Sequence, residues 1–275
     1  VLFYPERDAN PIFHFMESLW MLAGRNDVEW ISVFNKRMKT YSDNGIILQG
    51  AYGFRWRNHF QTDQLKTVIH RLSTYQNDRR TVLTMWDADW DLRKDNGCKD
   101  HPCNTHIYFA VRDNVLDMTV SNRSNDMIWG AMGANAVHMS ILQEYIAAMI
   151  GAEVGIYTQF SNNLHAYVEV LQKLDGMNAD YDSYASRMIK PSPLVDDPHL
   201  FDYELNLFVE NPMTAHNFAN RVFPEVAQPM CRVWDAWKQK ELFLALELCK
   251  EITPDDWHIA VYEWIERRMN IVDVQ

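Results

Sequence analysis

Cys103 and Arg123 are the two residues whose types and spacing most clearly suggest covalent chemistry. Cys103 stands just before an apolar, strand-like run at residues 107–111, and Arg123 follows the next strand-like run. A thiol is a useful nucleophile only as a thiolate, and a nearby guanidinium is one way to lower its pKa. If the second strand returns the arginine to the thiol, the pair is suited to covalent catalysis. The alternative is that Cys103 is a small buried hydrophobe, the commonest fate of a free cysteine.

The elements that must position this pair follow from the spacing of the apolar residues. Helices are predicted over residues 11–24, 27–44, 62–75 and 135–150 and over most of the chain from 213 onward. Strands are predicted over residues 81–86, 106–112, 115–121 and 154–160. We also expect a loop at residues 130–133 and an irregular stretch with a short strand at 191–203. Helices that are separated from strands, with little regular βαβ alternation, predict an α+β fold.

The composition is ordinary for a globular protein. The chain has 275 residues, of which 47% are hydrophobic and 23% are charged, so a sizeable core is available. The formal net charge of −11 argues against a broad nucleic-acid-binding surface. A small basic pocket for one anion is compatible with that net charge.

The four cysteines form no CxxC pair and no His/Cys cluster with zinc spacing, so we expect no metal. Few cysteines in a long chain favour a reducing compartment, which predicts a cytoplasmic protein. No apolar run approaches the length of a membrane span, and no signal peptide is visible. We therefore expect neither a membrane nor a nucleic acid as partner. Because the chain starts at Val1, we also expect a natural N-terminal piece to precede it.

Several short motifs lie toward the N-terminus. Glu17 and Trp20 lie in the first predicted helix as Glu-x-x-Trp, and residues 52–57 read Tyr-Gly-x-x-Trp-Arg. Arg79 and Arg80 are adjacent before a predicted strand, where they are either solvated or form a fork for phosphate.

Further motifs follow Cys103 in a consistent register. Residues 123–126 read Arg-Ser-x-Asp, and Asn135, His165 and Tyr167 follow. Taken together, residues 11–203 resemble the thymidylate synthase family, which includes the phage pyrimidine-nucleotide hydroxymethylases. The order and spacing of these motifs are far more specific than any one of them.

This resemblance implies a thymidylate synthase-like three-layer α+β fold, with a large mixed sheet and flanking helices. We expect a catalytic domain over residues 1–210. The helical segment at residues 211–275 has no counterpart in the synthases and is predicted to be a C-terminal extension that packs beside the core or a dimer.

The resemblance also implies a mechanism. The thiolate of Cys103 would add to C6 of a pyrimidine deoxynucleoside monophosphate, and C5 would then attack the one-carbon unit of 5,10-methylenetetrahydrofolate. After the folate leaves, hydride would give a methyl group and water would give a hydroxymethyl group. Glu17 would organise water and proton transfer around the base.

Each matching position carries an implied role. The catalytic residues would be Cys103, Glu17, Tyr52 and Asn104. The substrate-binding residues would be Arg79, Arg80, Arg123, Ser124, Asn135, His165 and Tyr167. The folate would contact Asp126 and Trp56. The paired arginines of the family reach into the neighbouring subunit, so we expect a homodimer in which Arg79 and Arg80 are shared across the interface.

Departures from the family pattern bear on the product. The methyl-making synthases have His where this chain has Asn104, and Gln where it has Asn122. Their tryptophan-rich folate shield is replaced here by residues 36–41, and their short apolar closing tail is missing. Hydride transfer needs a dry site, whereas hydroxymethylation needs one placed water. These departures favour a hydroxymethylase used in phage DNA modification over a thymidylate synthase making dTMP. A non-catalytic nucleotide-binding relative is the third alternative.

The choice of base depends on Asn135. An asparagine amide can donate to O4 and accept from N3–H of uracil, whereas the phage deoxycytidylate enzymes carry Asp at this position. The loop before it has one residue more than usual, so a count from Gly130 puts Ala134 at the reading position, whereas a count back from His165 restores Asn135. An insertion fits a loop more easily than a helix, so we expect Asn135 to read the base and dUMP to be favoured slightly over dCMP.

Overall fold

The computed structural model describes residues 5–75, 77–93, 97–175 and 182–272. The chain divides into two compact units, one formed by Glu17–Ala166 and the other by Val1–Met16 with Tyr167–Gln275. These units do not coincide with the predicted domains, and the boundary at residue 210 stays a prediction. The first four residues of the predicted catalytic domain and the last three of the predicted extension lie outside the described residues.

The unit Glu17–Ala166 contains a mixed sheet and the helices around it. Its strands are β1 (Val82–Thr84), β2 (Asn104–Arg112), β3 (Val115–Asn122), β4 (Asn125–Asp126), β5 (Glu153–Ser161) and β6 (Leu164–His165). Its helices are α2 (Val28–Phe34), α3 (Met38–Tyr41), α4 (Tyr52–Arg57), α5 (Gln64–Thr74), α6 (Ala88–Asp91) and α7 (Asn135–Ile150), together with a π-helix at Met127–Ala134. Helix α1 (Pro11–Leu22) contributes residues to both units.

The sheet brings the ends of distant segments together. Its order is β1-β2-β3-β5, with antiparallel pairing through β3 and parallel pairing between β3 and β5, while β4 and β6 form a separate parallel pair. The predicted turn between β2 and β3 is present, because Asp113 and Asn114 both adopt the positive φ that a tight hairpin requires. Every second residue of β3 is buried, and Gln143 of α7 donates to the Leu116 carbonyl, which ties this helix to the sheet.

Two elements differ from the sequence prediction. The predicted loop at residues 130–133 is present only in part, because Gly130 and Ala131 are helical, whereas Met132 and Gly133 have non-helical backbone angles that form a kink before α7. The short strand predicted within residues 191–203 is also wrong, since Phe201 begins helix α10 (Phe201–Glu210). Phe201, Leu205 and Phe208 are buried at helical spacing, a signal that the three preceding prolines obscured.

The unit Val1–Met16 with Tyr167–Gln275 is helical in its described part. Its helices are α8 (Val168–Leu171), α9 (Ser183–Arg187), α10, α11 (Gln228–Lys238), α12 (Leu242–Cys249) and α13 (Asp255–Val272), with 3-10 turns at Pro5–Arg7 and Gln172–Leu174 and a π-helix at Phe223–Ala227. The tryptophans of the predicted helical segment fill its core, and the ring centroids of Trp234 and Trp237 lie 4.5 Å apart. None of the helices in the described ranges is long and apolar enough to cross a bilayer. The predicted α+β fold, a mixed sheet with flanking helices, is confirmed.

Candidate active site

Cys103 lies immediately before β2, and Arg123 lies immediately after β3. Because the two strands pair with Asn104 opposite Asn122, the backbone N–H of Arg123 donates to the Cys103 carbonyl at 2.9 Å. The Nη2 atom of Arg123 lies 4.0 Å from Cys103 Sγ. The hairpin therefore places the guanidinium beside the thiol, in the arrangement that the strand order predicts.

The electrostatics of the thiol are a balance of opposing effects. Burial raises the pKa of Cys103 above its ordinary value of 9.0, the Arg123 guanidinium opposes this rise, and the Asp100 carboxylate adds to it. Burial prevails, so the resting thiol is protonated near neutral pH, and a guanidinium alone does not make it a thiolate. Covalent chemistry at Cys103 requires a base, or a change in its surroundings when a ligand binds.

The turn that carries Cys103 is held by the segment before α4. The backbone N–H of Gly50 donates to Asp100 Oδ2 at 2.9 Å, and a Cβ atom on Gly50 would lie 2.7 Å from the Asp100 carbonyl oxygen. Only glycine allows this approach. The Tyr52 hydroxyl meets the backbone of Cys103 and Asn104, and burial raises the pKa of this phenol well above its usual range. Tyr52 is thus positioned against the backbone of the nucleophile.

Arg123 is oriented by the same turn. Its Nε donates to the Pro102 carbonyl at 3.0 Å, and its Nη2 donates to the His101 carbonyl at 3.2 Å. The guanidinium also lies over the Trp86 ring, 5.6 Å from its centroid. The side chain is exposed and Ser124 beside it is half-buried, so both are accessible to an anion, and their role as a phosphate clamp stays a prediction.

Glu17 is not solvated, as a surface position on a helix would be, but is 8% exposed. Its Oε2 atom lies 3.0 Å from Nε2 of His138, a residue of α7 that is 3% exposed. His138 was not identified from the sequence. The signal was available, because His138 falls three residues after Asn135 and so shares its helix face.

Asn135 occupies the first turn of α7 and is buried at 8% exposure. Asn104 Nδ2 donates to Asn135 Oδ1 at 3.2 Å, and Asn135 Nδ2 donates to Asn125 Oδ1 at 2.9 Å. The amide therefore lies one hydrogen bond from the residue that follows the nucleophile. The preceding segment, Met127–Ala134, is helical with a kink at Met132 and Gly133. The role of Asn135 as the residue that reads the base stays a prediction.

Asp126 caps the π-helix at Met127–Ala134. Its Oδ1 accepts from the backbone N–H groups of Ile128 and Trp129, whereas its buried Oδ2 has no hydrogen-bond partner in the described part of the chain. This oxygen is available to a donor on a ligand, and a pterin ring carries such N–H donors. Trp56, by contrast, is 1% exposed, which leaves no ring face for stacking. Its contact with folate stays a prediction that its burial does not support.

The remaining predicted residues are placed as follows. Arg79 and Arg80 are exposed before β1. His165 lies in β6 directly opposite Asp126 of β4, so the strand pairing brings these two positions together. Tyr167 caps helix α8 in the other compact unit and is 53% exposed, and its role in binding the sugar stays a prediction.

Known proteins are similar to this chain over most of its length. Residues 10–219 match the family model described as thymidylate synthase. A deoxyuridylate hydroxymethyltransferase of Pseudomonas phage M6 is 49% identical over 98% of this chain and 80% of its own length. A protein of the same name from Bacillus phage SP01 is 36% identical over 71% of this chain and 53% of its own length. A putative thymidylate synthase of Methanothermobacter thermautotrophicus is 39% identical over 42% of this chain and half of its own length.

The extent of these matches confirms the predicted resemblance. It also confirms the predicted class of enzyme, a pyrimidine-nucleotide transferase acting at C5. With a family model that covers most of its length, this chain belongs to the thymidylate synthase family.

Proposed function

We propose that this enzyme converts dUMP into 5-hydroxymethyl-dUMP, with 5,10-methylenetetrahydrofolate as co-substrate. The observation that carries the proposal is the 49% identity, over 98% of this chain, to a phage protein named deoxyuridylate hydroxymethyltransferase. That similarity extends through the helical segment after residue 210, which the methyl-making synthases lack. The departures from the family pattern at Asn104 and at residues 36–41 also favour hydroxymethylation over methylation.

Cys103 is proposed as the nucleophile that adds to C6 of the uracil ring. Its thiol must first lose a proton, since burial holds its pKa above the ordinary value. Arg123 lies close enough to stabilise the developing thiolate. Tyr52 would hold the backbone on either side of the nucleophile while its sulfur bonds to carbon.

The nucleotide would be held at three points. Arg123 and Ser124 would bind the phosphate, together with Arg79 and Arg80 of a second subunit in a homodimer. The exposure of that arginine pair before β1 supports this assignment. The sugar hydroxyl would bind His165 and Tyr167, and the uracil edge would bind the Asn135 amide.

Asp126 is the residue that best fits the folate, because its buried Oδ2, which has no hydrogen-bond partner among the described residues, can accept from the pterin. The folate supplies the one-carbon unit. Glu17 and His138 would organise the water that becomes the hydroxyl group, since both are buried and in contact, and a buried carboxyl group is well suited to proton transfer. We propose no metal in this reaction. The proposed reaction would take place in the cytoplasm, the host's if the chain is phage-encoded, and needs neither nucleic acid nor membrane.

The direct test is to incubate the purified protein with methylenetetrahydrofolate and either dUMP or dCMP, and to identify the product by mass spectrometry. We expect 5-hydroxymethyl-dUMP from dUMP and no product from the matched Cys103→Ala variant. A methylated nucleotide formed together with stoichiometric dihydrofolate would show a thymidylate synthase instead. Release of tritium from C5 of labelled dUMP and of labelled dCMP tests the thiol separately, and a protein that released none from either nucleotide would be a non-catalytic relative.

A further inference from the structure

The amide of Asn135 belongs to a hydrogen-bonded chain of four side-chain amides, in the order Gln159, Asn125, Asn135 and Asn104. Gln159 Nε2 donates to the Ala131 carbonyl at 2.9 Å, and Asn125 Nδ2 donates to Gln159 Oε1 at 3.0 Å. Asn125 in turn accepts from Asn135, and Asn135 accepts from Asn104. Four side-chain amides thus connect a backbone carbonyl to the residue beside the nucleophile.

The direction of this chain is fixed at one end. A backbone carbonyl can only accept, so Gln159 must present its NH2 group to Ala131 and its oxygen to Asn125. That oxygen requires the NH2 group of Asn125, which leaves the Asn125 oxygen for Asn135. Each amide is therefore forced into one of its two orientations by the amide before it, starting from the carbonyl.

Burial makes these orientations costly to reverse. Asn104 is fully buried, Asn125 is 2% exposed and Asn135 is 8% exposed, so a reversed amide would meet oxygen with oxygen and NH2 with NH2 away from water. A mismatched buried pair of this kind is strongly disfavoured, because both groups lose their hydrogen-bond partners. Gly130 adds a steric constraint, since a Cβ atom there would lie 2.3 Å from Asn125 Oδ1 and 3.1 Å from Asn135 Nδ2.

The consequence concerns base selection. The hydrogen bond from Asn104 uses one lone pair of Asn135 Oδ1, and the hydrogen bond to Asn125 uses one hydrogen of Asn135 Nδ2. One lone pair and one hydrogen of the Asn135 amide are left for a base. Uracil offers N3–H and an accepting O4, whereas cytosine offers an accepting N3 and a donating amino group. A base bound in a given place pairs with only one orientation of the amide, and an asparagine that could rotate freely would accept both bases.

We propose that Gln159 and Asn125 are positioning residues that lock the Asn135 amide in one orientation and thereby set the choice between uracil and cytosine. This inference rests on the proposed function for the identity of the preferred base, uracil. The existence of the lock does not depend on which base the enzyme prefers. Neither residue was identified from the sequence.

The test measures the dissociation constants of dUMP and dCMP for the full-length protein by calorimetry, without folate. The variants are Gln159→Leu, which removes the anchor, and Gly130→Ala, which disrupts the Asn125–Asn135 bond. We expect each to reduce the preference for dUMP over dCMP by about tenfold. The matched control is Ser161→Ala, since Ser161 accepts a second bond from Asn125 Nδ2 at 3.1 Å but does not fix the direction of the chain. Its preference should stay within about twofold of the parent protein.

The outcomes separate this inference from the proposed function. If the parent protein prefers dUMP and both variants keep that preference while folded, the lock is wrong and the proposed substrate stands. If the parent prefers dCMP and Gln159→Leu abolishes that preference, the lock stands and the proposed substrate is wrong. An equal loss of preference in Ser161→Ala and Gln159→Leu would also overturn the lock, because it would show a general loosening of β5.

Discussion

The Oε2 atom of Glu17 and the Nε2 atom of His138 lie 3.0 Å apart, and their side chains are only 10% and 3% exposed. Breaking a buried pair by removing one partner is costly, because the other is left without compensation. The pair therefore links the stability of the unit Glu17–Ala166 to the proposed chemistry of Glu17.

Glu17→Gln and His138→Leu should separate these two contributions. The glutamine keeps the size of the side chain and can still accept a hydrogen bond, so we expect a loss of about 1 kcal/mol in the free energy of unfolding. Its turnover should fall about 100-fold or more, because the proton-transfer group is gone. His138→Leu leaves the carboxyl group buried alone and should cost about 3 kcal/mol. Urea unfolding and steady-state kinetics measure both quantities. Equal losses of stability, or full turnover in Glu17→Gln, would contradict the assignment.

The pH dependence of Cys103 alkylation follows from the charges around it. Because the pKa of the folded thiol is raised, the thiolate fraction and the rate of reaction with iodoacetamide should increase with pH through a midpoint above 9.0. Arg123→Gln removes the opposing charge and should raise that midpoint further. Asp100→Asn removes a charge that raises the pKa of Cys103, yet it keeps an oxygen that accepts from the Gly50 N–H. This variant should therefore lower the midpoint. Peptide mass spectrometry distinguishes Cys103 from the other three cysteines. Shifts of the same sign in both variants would refute this account.

The sequence predicted the parts of the site that local pattern controls. The hairpin that returns Arg123 to Cys103 follows from two alternating runs and a two-residue turn, and the helix that begins at Asn135 ends at a glycine as expected. Contacts between distant amides have no such pattern. Gln159 sits in an ordinary strand, and only the register of β5 on β3 brings it to Asn125.

The π-helix shows a different limit of prediction. Glycines at residues 130 and 133 are typical of a loop, yet the backbone is helical at Gly130 and leaves the helical angles only at Met132 and Gly133. The reason lies in tertiary contacts, since Gly130 is required by the close approach of Asn125 and Asn135. A glycine selected for close packing cannot be distinguished by sequence from one selected for a turn.

Arg55 and Asp91 form a fully buried ion pair behind the nucleophile turn, with side-chain exposures of 0% and 1% and an Nη2–Oδ1 distance of 2.9 Å. Arg55 also donates to the carbonyls of Gln49 and Met85. We expect Arg55→Ala to lower the free energy of unfolding by about 3–5 kcal/mol, because the Asp91 carboxylate is left buried without the guanidinium that faces it.

The matched control is Arg112→Ala, which breaks an exposed pair with Asp117 on the β2–β3 hairpin of the same compact unit. Exposed pairs contribute little, so its cost should stay within about 1 kcal/mol. Chemical denaturation followed by circular dichroism compares the two variants. Similar costs for both would show that Arg55 does not have the structural role that its burial indicates.

Mixing two inactive variants tests whether the site is shared between subunits. In a dimer of Arg79→Ala with Cys103→Ala, one site combines the intact thiol of the first chain with the intact arginine of the second. The other site lacks both groups. Random reassembly makes half of the dimers mixed, each with one working site of two, so about a quarter of the parent activity should return. Tritium release from C5 of dUMP measures it after refolding from denaturant. The matched control mixes Arg123→Ala with Cys103→Ala. Arg123 and Cys103 of one site belong to the hairpin of a single chain, so no site in a mixed dimer has both groups, and this mixture should stay inactive. Recovery in neither mixture would show that Arg79 does not act across subunits.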